Sequence, residues 1–223
     1  MKRQKAFIAL LLLVPAPSIG AALALHILPG VGNYLFTAAK VWLLVFPLLW
    51  LWRESRKPQL RLPTGSELVA GILLGLLMLV IILAAYGLIG QNLIDVEEVR
   101  NKAQAVGISS LATFLTGSAY WVLINSLIEE FVWRWFVYRQ CEILVSSQVA
   151  IWLSALFFTL HHIIALSAYF GWLITVLGSI GVFLAGAIWS WCYLRYRSLW
   201  PSYISHIGAD LAIFMVGLQL LFS

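Results

Sequence analysis

The sequence predicts an all-α polytopic membrane protein, a bundle of about seven transmembrane helices. Of its 223 residues, 62% are apolar and only 10% are charged, whereas an average soluble domain has about 25% charged residues. A water-soluble globule could not cover its core with so little charge, and intrinsic disorder requires the opposite composition. At roughly 25 to 30 residues for each span and its loop, the length allows about six to eight helices.

Seven apolar runs divide the chain, and each is long enough to cross a hydrocarbon core of about 30 Å as a helix. The runs are 6–28, 34–52, 67–90, 111–138, 148–166, 171–194 and 199–222. We therefore expect a single transmembrane domain over residues 1–223. The first run, with basic residues before it, also fits a signal peptide, although an uncleaved first helix explains the same residues.

Basic residues between the runs predict the orientation of the chain. They occur before the first run and after the second, fourth and sixth, at Lys2, Arg3, Lys5, Arg53, Arg56, Lys57, Arg61, Arg139, Arg195 and Arg197. With seven spans, all of these lie on one side, which the positive-inside rule places in the cytoplasm. We expect an integral, multi-pass protein of a bacterial-type plasma membrane with a cytoplasmic N-terminus. Lys40 is the exception near the opposite face, where it could snorkel to the interface.

The ionisable residues that remain inside the apolar runs are the candidate functional residues. They are Glu129, Glu130, Arg134, His161, His162, His206 and Asp210. A charged side chain at mid-membrane costs about 2.5–3.5 kcal/mol on insertion scales, so such residues usually face the bundle interior or an aqueous cavity. Because these residues occupy the fourth, fifth and seventh runs, we expect those three helices to share a polar site.

Helical spacing predicts how some of these residues group. Glu130 and Arg134 are four residues apart and can form an ion pair along one helix face; taken alone, that pair is most simply structural. Glu129 lies about 100° around the helix from Glu130, so the two carboxylates should point to different places. His206 and Asp210 are again four residues apart and share a face. Glu129 has no obvious partner nearby in the sequence.

Three motifs on these runs resemble those of a known family. Residues 129–134 read EExxxR, Phe157 to His161 read FxxxH, and His206 begins HxxxD. Occurring in this order on predicted membrane helices, they are similar to the motifs of the CPBP family of glutamic intramembrane endopeptidases, also called the CAAX-protease or Abi family.

This resemblance implies a catalytic core over about residues 111–215 and roles for the residues in it. Glu129, helped by His161, would be the base that activates water for amide hydrolysis. His206, with Asp210 beside it, would stabilise the tetrahedral oxyanion or donate a proton to the leaving group.

The other motif residues would have structural roles. Glu130 would pair with Arg134, and Phe157 would be a structural member of FxxxH. The sequence departs from the family at two positions, since Asp210 stands where Asn is usual and Trp135 stands where Gly is common. An ionised Asp210 would repel developing negative charge, so we expect it to be protonated or to orient His206 as an imidazolium donor.

The resemblance also implies the kind of substrate. An endopeptidase of this family would cut near the C-terminal or membrane-embedded part of a prenylated CaaX-type protein, a leader peptide or a C-terminal sorting tag. The expected partners are such a membrane-associated protein or peptide and the lipid bilayer, not nucleic acid. We expect no cofactor and no metal.

Other functions stay open at this stage. Glu129, His161 and His206 could offer one carboxylate and two imidazoles to Zn²⁺, a ligand set known in catalytic zinc sites, although HExxH is absent. A non-catalytic immunity or scaffold protein would keep the fold and bind a membrane peptide. A proton-coupled transporter would also place Glu and His in the membrane, but the sequence lacks the repeat symmetry of secondary transporters.

Overall fold

The computed structural model describes residues 1–28, 31–54 and 61–223, and of Asn33 only the backbone. Within these ranges the chain is mostly helical and forms no strand, and seven of its helices are long and apolar enough to cross a membrane. The helices are α1 (Lys2–Ile27), α2 (Gly32–Arg53), α3 (Gly65–Leu93), α4 (Val96–Ala105), α5 (Leu111–Leu144), α6 (Ser147–Tyr169), α7 (Trp172–Tyr196) and α8 (Trp200–Phe222), of which α4 is the short one. The predicted all-α bundle is confirmed, and the chain is an integral, multi-pass membrane protein.

Each of the seven predicted runs coincides with one spanning helix. The first run is a packed helix, since Ala9 and Leu13 are fully buried in the hydrophobic core. Pro201 lies in the first turn of α8, where its missing N–H has no helical partner to lose. Of the basic residues that predict the orientation, Arg56 and Lys57 lie outside the described residues.

Small residues bring α3 and α8 into close contact. A Cβ atom on Gly208 would lie 2.6 Å from the Cα of Gly75, and one on Gly71 would lie 2.8 Å from the Cβ of Ile204. Glycine at these positions therefore lets the two backbones approach, as in other small-residue contacts between membrane helices. Because His206 lies between Ile204 and Gly208 in the sequence, this contact also sets the position of that histidine relative to α3.

The most deeply buried part of the bundle is the second half of α5. Trp133, Phe136, Val137 and Tyr138 are at most 1% exposed. Rings from α2 pack against them, and Phe46 meets Phe136 edge-on with ring centroids 6.0 Å apart. This core supports the stretch of α5 that carries the EExxxR motif.

The helix geometry of α5 changes on both sides of that motif's two glutamates. Trp121–Asn125 and Phe131–Tyr138 are π-helical, and the α-helical turn Ser126–Glu130 lies between them. Wider π turns are rare in proteins and occur frequently at functional sites, because they re-aim side chains.

The segment between α3 and α5 contains the short amphipathic helix α4. Asp95 caps its first turn by accepting a hydrogen bond from the Glu98 amide, and Val99 and Ala103 are buried. Arg100 donates to the carbonyl oxygens of Leu220 and Ser223 at 2.8 and 2.6 Å. Its guanidinium therefore ties α4 to the end of α8.

Candidate active site

Glu129, the two histidines of α6 and His206 come together from three helices. Glu129, His161 and His162 each present one ligand-type atom, and these atoms all lie within 4.8 Å of one another. Nε2 of His206 lies 3.9 Å from Oε2 of Glu129. Glu129 and His206 are only 5% and 4% exposed. The structure therefore gathers the motif residues of α5, α6 and α8 into one buried cluster.

His206 is held in a fixed orientation by its neighbours. Its Nδ1 lies 2.9 Å from Oε1 of Glu130, and its Nε2 lies 3.7 Å from Oδ1 of Asp210. Trp189 of α7 stacks on the imidazole with ring centroids 4.1 Å apart, and the Trp189 indole donates to Ser205 Oγ at 2.8 Å. The ring thus directs one nitrogen at Glu130 and the other at Glu129 and Asp210.

Glu130 joins two parts of the site. Nη1 of Arg134 lies 3.0 Å from the same Oε1 that contacts His206, and both partners of this ion pair are almost completely buried. The Arg134 guanidinium also lies over the rings of Phe158 and Trp189, at 4.6 and 4.9 Å. The pair expected within α5 is present, but Glu130 also contacts His206 of α8, which helical spacing alone does not indicate.

Asp210 is anchored by a hydroxyl of α5. Ser126 donates to Oδ2 of Asp210 at 2.6 Å, and its Oγ also lies 2.9 Å from the carbonyl oxygens of Trp121 and Val122. A serine hydroxyl has a single proton, so it can serve only one of these three acceptors fully. Asp210 lies beside His206, as their spacing predicts.

The FxxxH spacing on α6 fits two registers. Phe157 precedes His161 by four residues, and Phe158 precedes His162 by the same interval. In the structure Phe158 lies inside the site, with its ring centroid 4.5 Å from that of His162, whereas Phe157 is half-buried and packs against the hydrophobic core. The sequence interpretation used the first register, and the doubled Phe and His also allow the second.

The two histidines of α6 have different surroundings. His162 Nδ1 lies 2.9 Å from the carbonyl oxygen of Phe158. If Nδ1 donates to that carbonyl, Nε2 carries the lone pair and can accept a proton. His161 stacks on Trp133 with an interplanar angle of 10°, and its Nδ1 is buried without a hydrogen-bond partner.

Lys40 of α2 is a further member of the site. Its Nζ donates to Oδ1 of Asn125 at 2.8 Å and lies 3.3 Å from Oε1 of Glu129. The ammonium therefore points into the bundle and does not follow the snorkelling path that the sequence allowed. In the sequence, Lys40 stands out only as a single basic residue within the second apolar run. Its partners lie on α5, far along the chain, so sequence spacing does not indicate them.

Several ionisable groups lie in and beside the histidine cluster. Three carboxyl groups and two cations surround the imidazoles, namely Glu129, Glu130, Asp210, Lys40 and Arg134.

Two serines lie near the site in the sequence. Ser154 and Ser205 donate their hydroxyls to the carbonyl oxygens of Trp133 and Ser202, respectively, at 3.0 Å. A serine nucleophile needs an adjacent base, and in these contacts neither hydroxyl donates to one.

Comparison with known proteins gives one match. No curated protein and no solved structure matches the chain. A family model described as Type II CAAX prenyl endopeptidase Rce1-like matches residues 111–212, a little under half of the chain. That segment contains α5 to α7, the first half of α8 and all three motifs, whereas Lys40 lies before it. The family resemblance predicted from the motifs is therefore confirmed. Over residues 111–212 the chain is similar to the Rce1-like CAAX prenyl endopeptidases. This similarity supports a membrane peptidase with a peptide substrate.

Proposed function

We propose that the chain is a glutamate-dependent intramembrane endopeptidase that hydrolyses a peptide bond near the C-terminal or membrane-embedded part of its substrate. The observation that carries this proposal is the convergence of Glu129, the α6 histidines and His206 from three membrane helices. These residues lie within the segment that matches the CAAX endopeptidase family. Buried acids and imidazoles are costly in a membrane and usually functional.

The first step is the activation of water by Glu129. Oε2 of Glu129 takes a proton from water as the oxygen of that water attacks the scissile carbonyl carbon. The contact of Lys40 with Oε1 supports this choice of oxygen, because it leaves Oε2 on the side of His206. His162 Nε2 offers a second acceptor for the same water, whereas the resemblance alone implied His161 as the helper.

His206 is proposed as the donor to the oxyanion. Its contacts support a proton on the ring, because Nδ1 lies 2.9 Å from Oε1 of Glu130 and Nε2 lies 3.9 Å from Oε2 of Glu129. Nδ1–H then bonds Glu130, and Nε2–H, beside Asp210, is available to the developing negative oxygen. Removing one such preorganised donor typically costs about 10²–10³ in kcat.

Collapse of the tetrahedral intermediate completes the reaction. The proton held by Glu129 passes to the leaving nitrogen as the C–N bond breaks, which yields a new carboxyl terminus and a new amino terminus. Glu129 returns to its ionised form beside Lys40. Because water attacks directly, the proposed mechanism forms no acyl-enzyme.

The test is cleavage by the full-length protein in lipid nanodiscs. Three reporters represent the proposed substrate classes: a farnesylated CaaX peptide, a leader-peptide fusion and a fusion with a C-terminal transmembrane tag. We expect mass spectrometry to show one cut in at least one reporter and no hydroxamate product when hydroxylamine is added. Failure to cleave all three, or a trapped hydroxamate, would contradict the proposal.

A metal-dependent hydrolase is the second candidate, and one observation favours it. Glu129, His161 and His162 are close enough to hold a single ion, and one carboxylate with two imidazoles is a ligand set of catalytic zinc sites. This set contains His162 in place of the His206 that the sequence suggested. The Lys40 ammonium, 3.3 Å from Glu129 Oε1, opposes a dication there.

Chelation separates the two candidates. The glutamate mechanism predicts that EDTA and 1,10-phenanthroline leave the cleavage rate unchanged, measured on the same nanodiscs and reporter. Activity that is lost with chelator and restored by added Zn²⁺ would favour the metal-dependent reaction.

A further inference from the structure

Lys40 belongs to the site although it lies outside the three motifs and outside the matched segment 111–212. At a rise of 1.5 Å per residue, Lys40 lies about 12 Å along the helix axis from the start of α2 (Gly32–Arg53). Only 23% of its side chain is exposed. An ammonium group in the hydrocarbon region is costly, so an intramembrane lysine usually has a functional partner.

Side chains of α5 surround the Lys40 ammonium. Nζ donates to Asn125 Oδ1 at 2.8 Å, lies 3.3 Å from Glu129 Oε1 and lies 4.5 Å from the centroid of the Trp121 ring. The face of an indole attracts a cation, and an amide oxygen accepts from it. Asn125 and Trp121 therefore hold the ammonium in place independently of Glu129.

We propose that Lys40 is a positioning residue for Glu129: its ammonium holds Oε1, so that Oε2 faces Nε2 of His206 across 3.9 Å. This inference rests on the proposed role of Glu129 as the base. A carboxylate without a partner at either oxygen can rotate, and its basic oxygen then spends less time near the water. A misplacement of about 1 Å in a catalytic group can cost about a hundredfold in rate.

A purely structural role makes different predictions. If Lys40 only tied α2 to α5, its loss would lower stability, and activity would fall only as folded protein is lost. Positioning predicts a loss of kcat in protein that is fully folded, with KM unchanged, because in this role Lys40 acts on Glu129 and not on the substrate. It also predicts that another cation at this position restores part of the rate.

The first measurement uses the full-length protein in nanodiscs and the reporter that the wild type cleaves. We expect Lys40→Met to lower kcat about a hundredfold with KM within about twofold, and Lys40→Arg to recover part of that loss. Lys102→Met is the matched control, since it removes a lysine that pairs with Glu98 on α4, away from the site, and should leave kcat unchanged. Wild-type kcat in Lys40→Met, or equal loss in Lys40→Arg and Lys40→Met, would overturn the proposal.

The second measurement does not depend on activity. Dicyclohexylcarbodiimide modifies un-ionised carboxyl groups in membranes, so Glu129 beside Lys40 should react slowly. We expect several-fold more labelling of Glu129 in Lys40→Met and Lys40→Gln membranes, located by peptide mass spectrometry and absent from Lys40→Met/Glu129→Gln. Equal labelling of wild type and both variants would overturn the pairing of Lys40 with Glu129. If the wild type cleaves no reporter, the proposed function fails separately, and the labelling alone decides the pairing.

Discussion

Oε2 of Glu129 lies 3.9 Å from Nε2 of His206, and each of the two residues is held at its other polar atom. Lys40 contacts Oε1 of the glutamate, and Glu130 contacts Nδ1 of the histidine. A separation of 3.9 Å is too long for a direct hydrogen bond. The two atoms are therefore close without being hydrogen-bonded to each other. In the proposed reaction, one can then accept the proton of water while the other donates to the oxyanion.

Asp210→Asn is expected to keep activity within about threefold of wild type, because the amide preserves the size of the side chain and can donate to Ser126 Oγ. Ser126 can then donate to the carbonyl oxygens of Trp121 or Val122, which lie 2.9 Å away. The measurement is kcat/KM on the cleaved reporter.

Asp210→Leu is the control for that substitution, since it keeps the size but removes both polar atoms, and it should lose about a hundredfold. An inactive Asp210→Asn protein would show that the charge of Asp210 is needed, for instance to keep His206 protonated.

The Glu130–Arg134 pair should affect stability and activity separately. Arg134→Met leaves the buried Glu130 carboxylate with His206 as its remaining partner and should destabilise the protein by about 3–5 kcal/mol. Glu130→Met/Arg134→Met should recover much of that stability, yet remain nearly inactive because His206 loses the partner of its Nδ1. The measurements are denaturation in detergent and kcat on the reporter.

Arg197→Met is the control for the ion pair, because Arg197 is half-exposed and pairs with Glu142. Its loss should cost about 1 kcal/mol or less. Full activity in Glu130→Met/Arg134→Met would refute the orienting role of Glu130.

The two α6 histidines should differ in their effect on kcat. His162→Ala is expected to lose about 10²–10⁴ in rate, as for removal of a general acid–base group. His161→Phe keeps an aromatic ring stacked on Trp133 and should lose less than about tenfold. Rates are compared in protein of equal thermal stability. The opposite order would favour the Phe157–His161 register that the sequence interpretation used.

The fold could be predicted from the sequence because membrane spans depend on local composition. A run of about 20 apolar residues specifies a helix whatever its neighbours are, so all seven spans were found. The contact of Gly71 and Gly75 with α8 also has a local signal, namely small residues four apart. Which helices become neighbours has no such local signal, and the only indication in the sequence was the polar residues shared by the fourth, fifth and seventh runs.

The site could be predicted only where its residues share a helix or a motif. The pair Glu130–Arg134 follows from a spacing of four residues, and Glu129 stands out as a membrane acid. The link from Glu130 to His206 and that from Lys40 to Glu129 join separate helices, so periodicity does not reveal them. The choice between His161 and His162 depends on the rotation of α6, which a doubled FxxxH leaves open.

The orientation in the membrane stays a prediction from loop charge. Reporter fusions in the 53–66 link should lie in the cytoplasm, and fusions in the 91–110 segment should lie outside, since positively charged links are retained on the cytoplasmic side. The measurement is paired activity of a reporter that works only in the cytoplasm and one that works only outside. A reversed pattern at both positions would refute the orientation.

Glu129→Gln tests whether the Glu129 carboxylate is the base, because the amide has the same shape and cannot take the proton. Glu67→Gln is the control, since it changes another buried glutamate, which pairs with Arg61 at the start of α3. The measurement is kcat of both variants on the cleaved reporter, in nanodiscs with equal amounts of inserted protein. We predict a loss of about 10²–10⁴ in kcat for Glu129→Gln and near wild-type kcat for Glu67→Gln. A Glu129→Gln protein that cleaves within about tenfold of the wild-type rate would contradict the role of Glu129 as the base.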